Sequence, residues 1–390
     1  MASTRKVVLA ILTISWLSTA SAQRSFLVVS DIHLDENNNQ TAILPNARNG
    51  GIDTWDTAKY EIVHLLKTRS PRFIIYLGDL PLHVPPTAVS TAMPSAGKAL
   101  ADLRTLATSH HIPLLFVPGN NDSPDSDYGK FSPTIFEYDT TGAKEWPVIG
   151  AKAWPAIGAT LLKSPDYATL GCYAVYPLGR KAKLRVIVLN TVLYTWNYQS
   201  PDHDAECAGQ LSWLGHELKK TKANHETALI VMHVPPGVDT YKHNTFWTTK
   251  VIINGTTIQN NFLDTLARYR ENIMGLLASH THMDGFKRLY DKDGKFITLL
   301  ISAPAVAPSA YNNTAVKLIH YNANRQFTAS TTLYHTTTWQ RNLIRDPANQ
   351  PLKTYLANMD STSIYQMVDT LYNTGVKVHN KALDIDVHRN

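Results

Sequence analysis

The sequence predicts a layered α/β fold, on three observations. Short runs rich in β-branched residues recur along the chain, amphipathic stretches with apolar residues at helical spacing lie between several of them, and the runs end abruptly in small or polar residues. Taken in order, the expected strands are Phe26–Ser30, Phe73–Leu77, Leu114–Val117, Leu184–Leu189, Ala228–Met232, Ile273–Ala278 and Phe296–Ser302. Each reads as a strand buried on both faces, because apolar residues run through it without alternation. The expected helices are Trp55–Lys67, Ala96–Ser109, Gln210–Thr221 and Asn260–Arg270, where apolar side chains fall on one face. After Ser302 the pattern changes: Val316–Tyr321 and Phe327–Leu333 alternate apolar with polar residues, as antiparallel strands closing a sheet do. From Trp339 onward the chain reads as helical and more polar, Thr354–Leu371 being the clearest segment. The irregular stretches are 33–53, 122–170 and 235–259, and loops of that length in a compact domain usually carry function.

Composition sets the outer bounds. At 390 residues, 44% hydrophobic and 17% charged, the chain buries a large core, which excludes a disordered polymer, a coiled coil and a disulfide-stapled miniprotein. The formal charge of +6 is spread along the chain without a long Lys/Arg run, so a nucleic-acid partner is not expected. At the amino terminus, Arg5 and Lys6 precede the apolar run Val7–Leu17, and Ala20-Ser21-Ala22 follows. This is the pattern of a secretory signal peptide over residues 1–22, cleaved before Gln23. The run is too short for the ~20 apolar residues of a spanning helix. The expected protein is therefore exported, secreted or periplasmic, with no transmembrane segment, and an exposed loop leaves peripheral membrane contact open. Cys172 and Cys207 suit either one disulfide in an oxidising compartment or two buried thiols. Sequons stand at Asn39, Asn254 and Asn312.

Chemistry collects at the carboxyl ends of five expected strands, where open α/β sheets build their sites. The first is followed by Asp31-Ile32-His33, the second by Gly78-Asp79, and the third by Gly119-Asn120-Asn121-Asp122. The fifth ends in Met232-His233 and the sixth in Ser279-His280-Thr281-His282. Carboxylate, carboxamide and imidazole together suit a binuclear site for zinc, iron or manganese, since a carboxylate can bridge two cations. Asp-x-His on an extended segment projects both side chains the same way. Glycines before Asp79 and Asn120 let the backbone turn sharply beneath the ions.

These five fragments, in this order, resemble the signature of the calcineurin-like metallophosphoesterases. Two departures stand out: Ser279 replaces the usual glycine of the last motif, and Asn121 stands where the family's Gly-Asn-His carries a histidine. Gly78-Asp79-Leu80-Pro81-Leu82-His83 is similar to a stretch of the acid sphingomyelinase-like phosphodiesterase branch, in which the histidine faces the phosphate. Leu189-Asn190-Thr191, Gly209-Gln210-Leu211-Ser212-Trp213-Leu214 and the Ser302–Pro308 segment with Tyr311-Asn312-Asn313 resemble that branch as well.

The resemblance implies a layered α/β sandwich of two mixed β-sheets flanked by helices, plus a small helical C-terminal region. It divides the chain into the signal peptide 1–22, a catalytic domain 23–335 and helices packing on it at 336–390. Asp31, His33 and His282 would hold one divalent metal, Asn120, His233 and His280 a second, and Asp79 would bridge them; zinc is the first expectation, iron or manganese the alternatives. His83 and Asn121 are the catalytic candidates beside the phosphate, with His83 the better acid, because a carboxamide has no titrating proton. Asp122 and Asp284 are candidate partners for the imidazoles. The implied function is metal-dependent hydrolysis of a phosphodiester or phosphoanhydride, on a soluble nucleotide or choline-phosphate type of small molecule. Sphingomyelin and polyphosphate are alternative substrates, and a non-catalytic secreted binding protein with a retained metal site is the alternative of a different class. Trp146, Trp154 and Phe136 would either line a substrate pocket or pack a core.

Overall fold

The computed structural model describes residues 24–36, 50–83, 89–142, 148–149, 152–153, 156–162, 167–239, 244–309, 312–372 and 385–390. The expected signal peptide, the sequon at Asn39, and Trp146, Trp154 and Tyr311 lie outside these residues.

Fifteen strands of the described residues form two mixed sheets. In chain order they are β1 (Arg24–Val29), β2 (Ile74–Tyr76), β3 (Leu114–Phe116), β4 (Ala156–Ile157), β5 (Thr160–Leu161), β6 (Tyr173–Tyr176), β7 (Leu184–Val188) and β8 (Thr227–Val231). They continue as β9 (Ile273–Ala278), β10 (Gly285–Tyr290), β11 (Phe296–Ser302), β12 (Thr314–Tyr321), β13 (Phe327–His335), β14 (Trp339–Arg345) and β15 (Asp386–Val387). The first sheet has the order β14-β13-β12-β1-β2-β3-β4, and the second β15-β10-β11-β9-β8-β7-β6-β5. β1, β2 and β3 are mutually parallel, as are β7, β8, β9 and β11, and antiparallel strands complete both sheets.

The main core lies between the sheets. Val186, Val188, Leu229, Val231 and Leu277 of the second sheet join Phe26, Ile75 and Leu115 of the first there. Their neighbours Ile187, Ala228, Ile230 and Leu276 turn the other way, onto helices α3 (His203–Ala223) and α4 (Ile258–Arg268). The period of two thus sends one unbroken apolar run into two cores. On the outside of the first sheet lie α1 (Ile52–Arg69) and α2 (Val89–Ser109). The helix expected from Ala96 begins seven residues earlier, at Val89. Thr257 caps α4, its hydroxyl accepting from the Asn260 amide at 3.3 Å.

The helical expectation beyond residue 335 fails at its start. Trp339–Arg345 is a strand paired along its length with β13. Its polar composition belongs to an edge strand with one open side, where charged residues discourage further pairing. Helices α5 (Leu352–Ala357) and α6 (Ser361–Tyr372) follow, and β15 then adds a parallel edge to β10. Cys172 and Cys207 are buried thiols with no bond between them. Asn312 is fully buried with its amide donating to the Ala307 carbonyl at 2.9 Å, which removes that sequon from use. Phe136 is core, 1% exposed and edge-on to Phe116. No helix of the described residues is long and apolar enough to cross a membrane.

Candidate metal centre

The carboxyl ends of β1, β2, β3, β8 and β9 bring all seven expected ligands into one cluster. Backbone hydrogen bonds stitch the loops together: Asp31 N–H donates to the Gly78 carbonyl at 2.9 Å, His33 N–H to Asp79 at 3.1 Å, and Ser279 N–H to His233 at 2.9 Å. Gly78 and Gly119 lie so close that a Cβ at Gly78 would overlap the Gly119 backbone, and Gly78 has φ +100°. A Cβ on Gly119 would strike Asp79. Both glycines are therefore required by the close approach of the second and third loops.

Five of the seven residues hold a left-handed backbone: Asp31 (φ 50°), His33 (φ 42°), Asp79 (φ 65°), His280 (φ 68°) and His282 (φ 61°). Side chains rarely adopt this region, and each instance costs of order 1 kcal/mol or more, so the surrounding structure must over-determine it. The turn aims these side chains inward at the point where each strand stops.

Asp79 is the centre of the cluster. Its Oδ2 lies 3.6 Å from His33 Nε2 and 3.2 Å from His233 Nε2, facing one group on each side. On one side, His33 Nε2 is 3.2 Å from His282 Nε2, and Asp31 Oδ1 is 3.4 Å from His282 Nε2. On the other, Asn120 Oδ1 is 3.1 Å from His233 Nε2 and 2.9 Å from His280 Nδ1. Donor atoms of Asp31, His33 and Asp79 lie within 4.8 Å of one another, and so do those of Asp79, His233 and His280.

Electrostatics mark the same two sets. Burial, reinforced by Asp79, pushes Asp31 up to about 7. Burial would also raise Asp79, but His233 holds it well below the carboxylate range. Burial lowers His233 in turn, and Asp79 overrides it to about 9. Burial and the neighbouring His83 push His282 down to about 3 and His33 well below the usual imidazole value. Asp31 Oδ1 is buried and has no hydrogen-bond partner among the described residues. In the first set, His33 and His282, which prefer to be neutral, face the unpartnered Asp31 oxygen and form a donor set that fits a cation; in the second, Asp79 favours the charged form of His233, and a cation would take the place of that proton.

Three of the four imidazoles are oriented through their other nitrogen. His33 Nδ1 meets the Pro81 carbonyl at 2.9 Å and His233 Nδ1 the Leu77 carbonyl at 2.7 Å. Ser309 Oγ stands 2.5 Å from His282 Nδ1, and Ser279, in the place of the motif glycine, 2.9 Å from His233 Nδ1. Asn120 is fixed by Asp127, whose Oδ1 accepts from its amide at 2.8 Å. The expectation for Asp122 and Asp284 is corrected. Asp122 accepts the backbone amides of Asp79, Leu80 and Gly119 at 2.7–2.9 Å, and so builds the turn. Asp284 pairs with the buried Lys317 and accepts from Thr332. Ser309 and Asp127 were not foreseen, since a lone serine or aspartate in a loop carries no local signal.

The two catalytic candidates fall in different places. His83 stacks on His33 with ring centroids 3.9 Å apart, and its donor atom lies within 4.8 Å of those of His33 and His282. Asn121 turns onto Asp79, its backbone and side-chain amides donating to the two carboxylate oxygens, each at 2.9 Å. Its side chain is thereby committed to orienting the central carboxylate.

Parallel strands delivering carboxylates, a carboxamide and imidazoles to one end of two facing mixed sheets form a layered α/β scaffold with a donor cluster that would suit metal ions. The family description Calcineurin-like phosphoesterase matches residues 24–284, and the chain belongs to that family. It is similar to the cyclic GMP-AMP phosphodiesterase SMPDL3A of Bos taurus, 28% identical over 261 residues that cover 64% of this chain and 53% of that protein. The Rattus norvegicus counterpart is 25% identical over 329 residues, covering 77% of this chain and 69% of that protein. Acid sphingomyelinase-like phosphodiesterase 3b of Mus musculus is 25% identical, covering 65% and 54%. The chain thus spans about half the length of two of these relatives. Among solved structures, a dimetal phosphatase from Danio rerio aligns with a TM-score of 0.49 at 15% identity, covering 83% of this chain and 98% of that one.

Proposed function

We propose that the protein is a metal-dependent phosphodiesterase in which Asp31, His33 and His282 hold one cation, Asn120, His233 and His280 a second, and Asp79 both. The observation that carries this reading is the position of Asp79 Oδ2 between His33 Nε2 and His233 Nε2. The mixed nitrogen and oxygen donors suit zinc first, then iron or manganese. Bound at these donors, two cations would supply a water of lowered pKa and take up charge on the phosphate oxygens. The chain's own contribution is orientation. The carbonyls of Pro81 and Leu77 fix which nitrogen of His33 and His233 faces inward. Asn121 holds Asp79 in the plane needed to face both sides. His83, beside His33 and partly exposed, is placed to give a proton to the departing oxygen.

The substrate we favour is a soluble nucleotide-type phosphodiester, supported by likeness to proteins named cyclic GMP-AMP phosphodiesterases. Export is supported by the residue pattern of positions 1–22. The test is turnover of bis-p-nitrophenyl phosphate beside p-nitrophenyl phosphate, before and after chelation, with metal content measured on the same preparation. Diester preference that vanishes on chelation and returns with added zinc or manganese is expected. Asp79→Asn should lower turnover at least about a hundredfold and reduce bound metal, because the shared anionic oxygen is gone. Chelator-resistant turnover would sink the assignment.

A further inference from the structure

A second concave site lies far from the metal cluster, on the outer face of the first sheet between α1 and the antiparallel strands β12, β13 and β14. It encloses about 200 Å³. The floor is made of Leu318, Ala329, Thr331 and Leu333, and the walls carry Arg69 and His64 from α1, Arg341 and Arg345 from β14, and His320 from β12. The groove reaches the amino end of β1, since His320 pairs with Ser25 and Tyr321 with Arg24, whereas the metal cluster follows the carboxyl end of that strand.

The charge of this groove is one-sided. Glu61 is its only carboxylate, is itself buried, and is pushed up by burial toward the neutral form. The buried arginines are paired, Arg104 with Asp139, Arg185 with Glu217 and Glu226, Arg288 with Asp386, whereas Arg69, Arg341 and Arg345 are exposed. Arg69, Arg341 and Arg345 have no ion pair or side-chain hydrogen bond among the described residues. Burial, then the charges of Arg69 and Arg341, push His320 down to about 4, so arginines from a helix and from an edge strand that line the same groove both act on one imidazole. Its Nε2 is engaged by Thr331 Oγ1 at 3.0 Å. Gathering three guanidinium groups around a single carboxylate leaves an excess of positive charge, and a bound anion relieves it.

The spacing selects the kind of anion. Arg341, Leu343 and Arg345 alternate onto one face of β14, and at a strand rise of about 3.3 Å the two arginines stand about 13 Å apart along it. With side chains standing straight off the strand, one phosphate or sulfate meets only one of the two. A linear chain of phosphates can meet both, each guanidinium taking phosphate oxygens in its planar fork.

We propose that this groove is an anion site for linear oligophosphates, separate from the metal centre. The test is isothermal titration of the full chain with tripolyphosphate and a short-chain polyphosphate, repeated with R341S/R345S and read in parallel by the His320 ring resonances. Both arginines are exposed, so the double variant should keep the fold, and an unchanged melting temperature without ligand checks this. Expected are a shift of the His320 signals on titration, loss of at least about tenfold in affinity in the double variant, and unchanged turnover of bis-p-nitrophenyl phosphate. Equal affinity of wild type and double variant, still His320 signals, or tighter binding of a sulfated oligosaccharide than of polyphosphate would each overturn the proposal. Because the readouts are binding and a remote resonance, they stand whether or not the metal centre hydrolyses diesters.

Discussion

At the scale of single residues, the site separates groups that point at a reacting centre from groups that hold them. In the proposed reaction His83 belongs to the first kind, being stacked on His33 at 3.9 Å and only partly buried. His83→Ala should lower kcat by about a hundredfold, the lower range for a general acid, while bound metal stays constant. Loss of metal in that variant would instead make His83 a ligand, and full activity would remove it from the reaction. The clustering of these seven residues was legible in the sequence because each follows a buried strand in a short fixed pattern. Their supports were not: Ser309 reaches His282 from 27 positions away, and the carbonyls of Pro81 and Leu77 carry no residue signature at all. Asp122 and Asp284 misled because a carboxylate beside a motif has several uses, and here backbone amides and Lys317 claim them.

At the scale of elements, the C-terminal part shows how one side chain can organise a segment that sequence periodicity reads poorly. Arg288 of β10 donates to both oxygens of Asp386 in β15 at 2.6 and 2.8 Å, to Ser361 at the start of α6 at 2.9 Å, and to the Met359 carbonyl at 2.5 Å. It is the common anchor of two helices and an edge strand. Arg288→Met should cost about 3 kcal/mol, the low end for breaking a buried pair, because Asp386 is partly exposed and can be rehydrated. Denaturant melts measure the cost, and amide exchange should rise first in the β10–β15 pairing; an unchanged midpoint would refute the anchor. The long apolar strands were legible because burial on both faces leaves unbroken runs. Gly285–Tyr290 and Tyr173–Tyr176 were not, one being interrupted by buried Lys287 and Arg288, the other four residues long. Trp339–Arg345 was misread because an edge strand with one wet face lacks the apolar period that marks a strand.

At the scale of the whole molecule, acid stability has a definite sign. His320 has a folded-state value near 4 against an ordinary 6.5, set first by burial and then by Arg69 and Arg341. The unfolded chain therefore binds a proton that the folded chain refuses between pH 6.5 and about 4, so stability should fall as pH falls through that window. The difference corresponds to about 3 kcal/mol at most, and His320→Asn should flatten the slope in urea melts taken across it. A variant with the same slope as wild type would assign the effect to other groups. Bound oligophosphate should also flatten it, since an anion in the groove offsets the two guanidinium charges and lets the imidazole take its proton.

The sequence by itself determined the layered α/β architecture, the order of the buried strands and the seven residues that gather at the strand ends, because burial and strand ends impose local patterns that survive in one dimension. Only the tertiary structure decided that Asp79 lies between the two donor sets, that Asn121 is committed to Asp79, and that arginines from α1 and β14 face one another unpaired. These are distances between residues tens or hundreds of positions apart, fixed by how two sheets and their covering helices pack, and no local pattern encodes them.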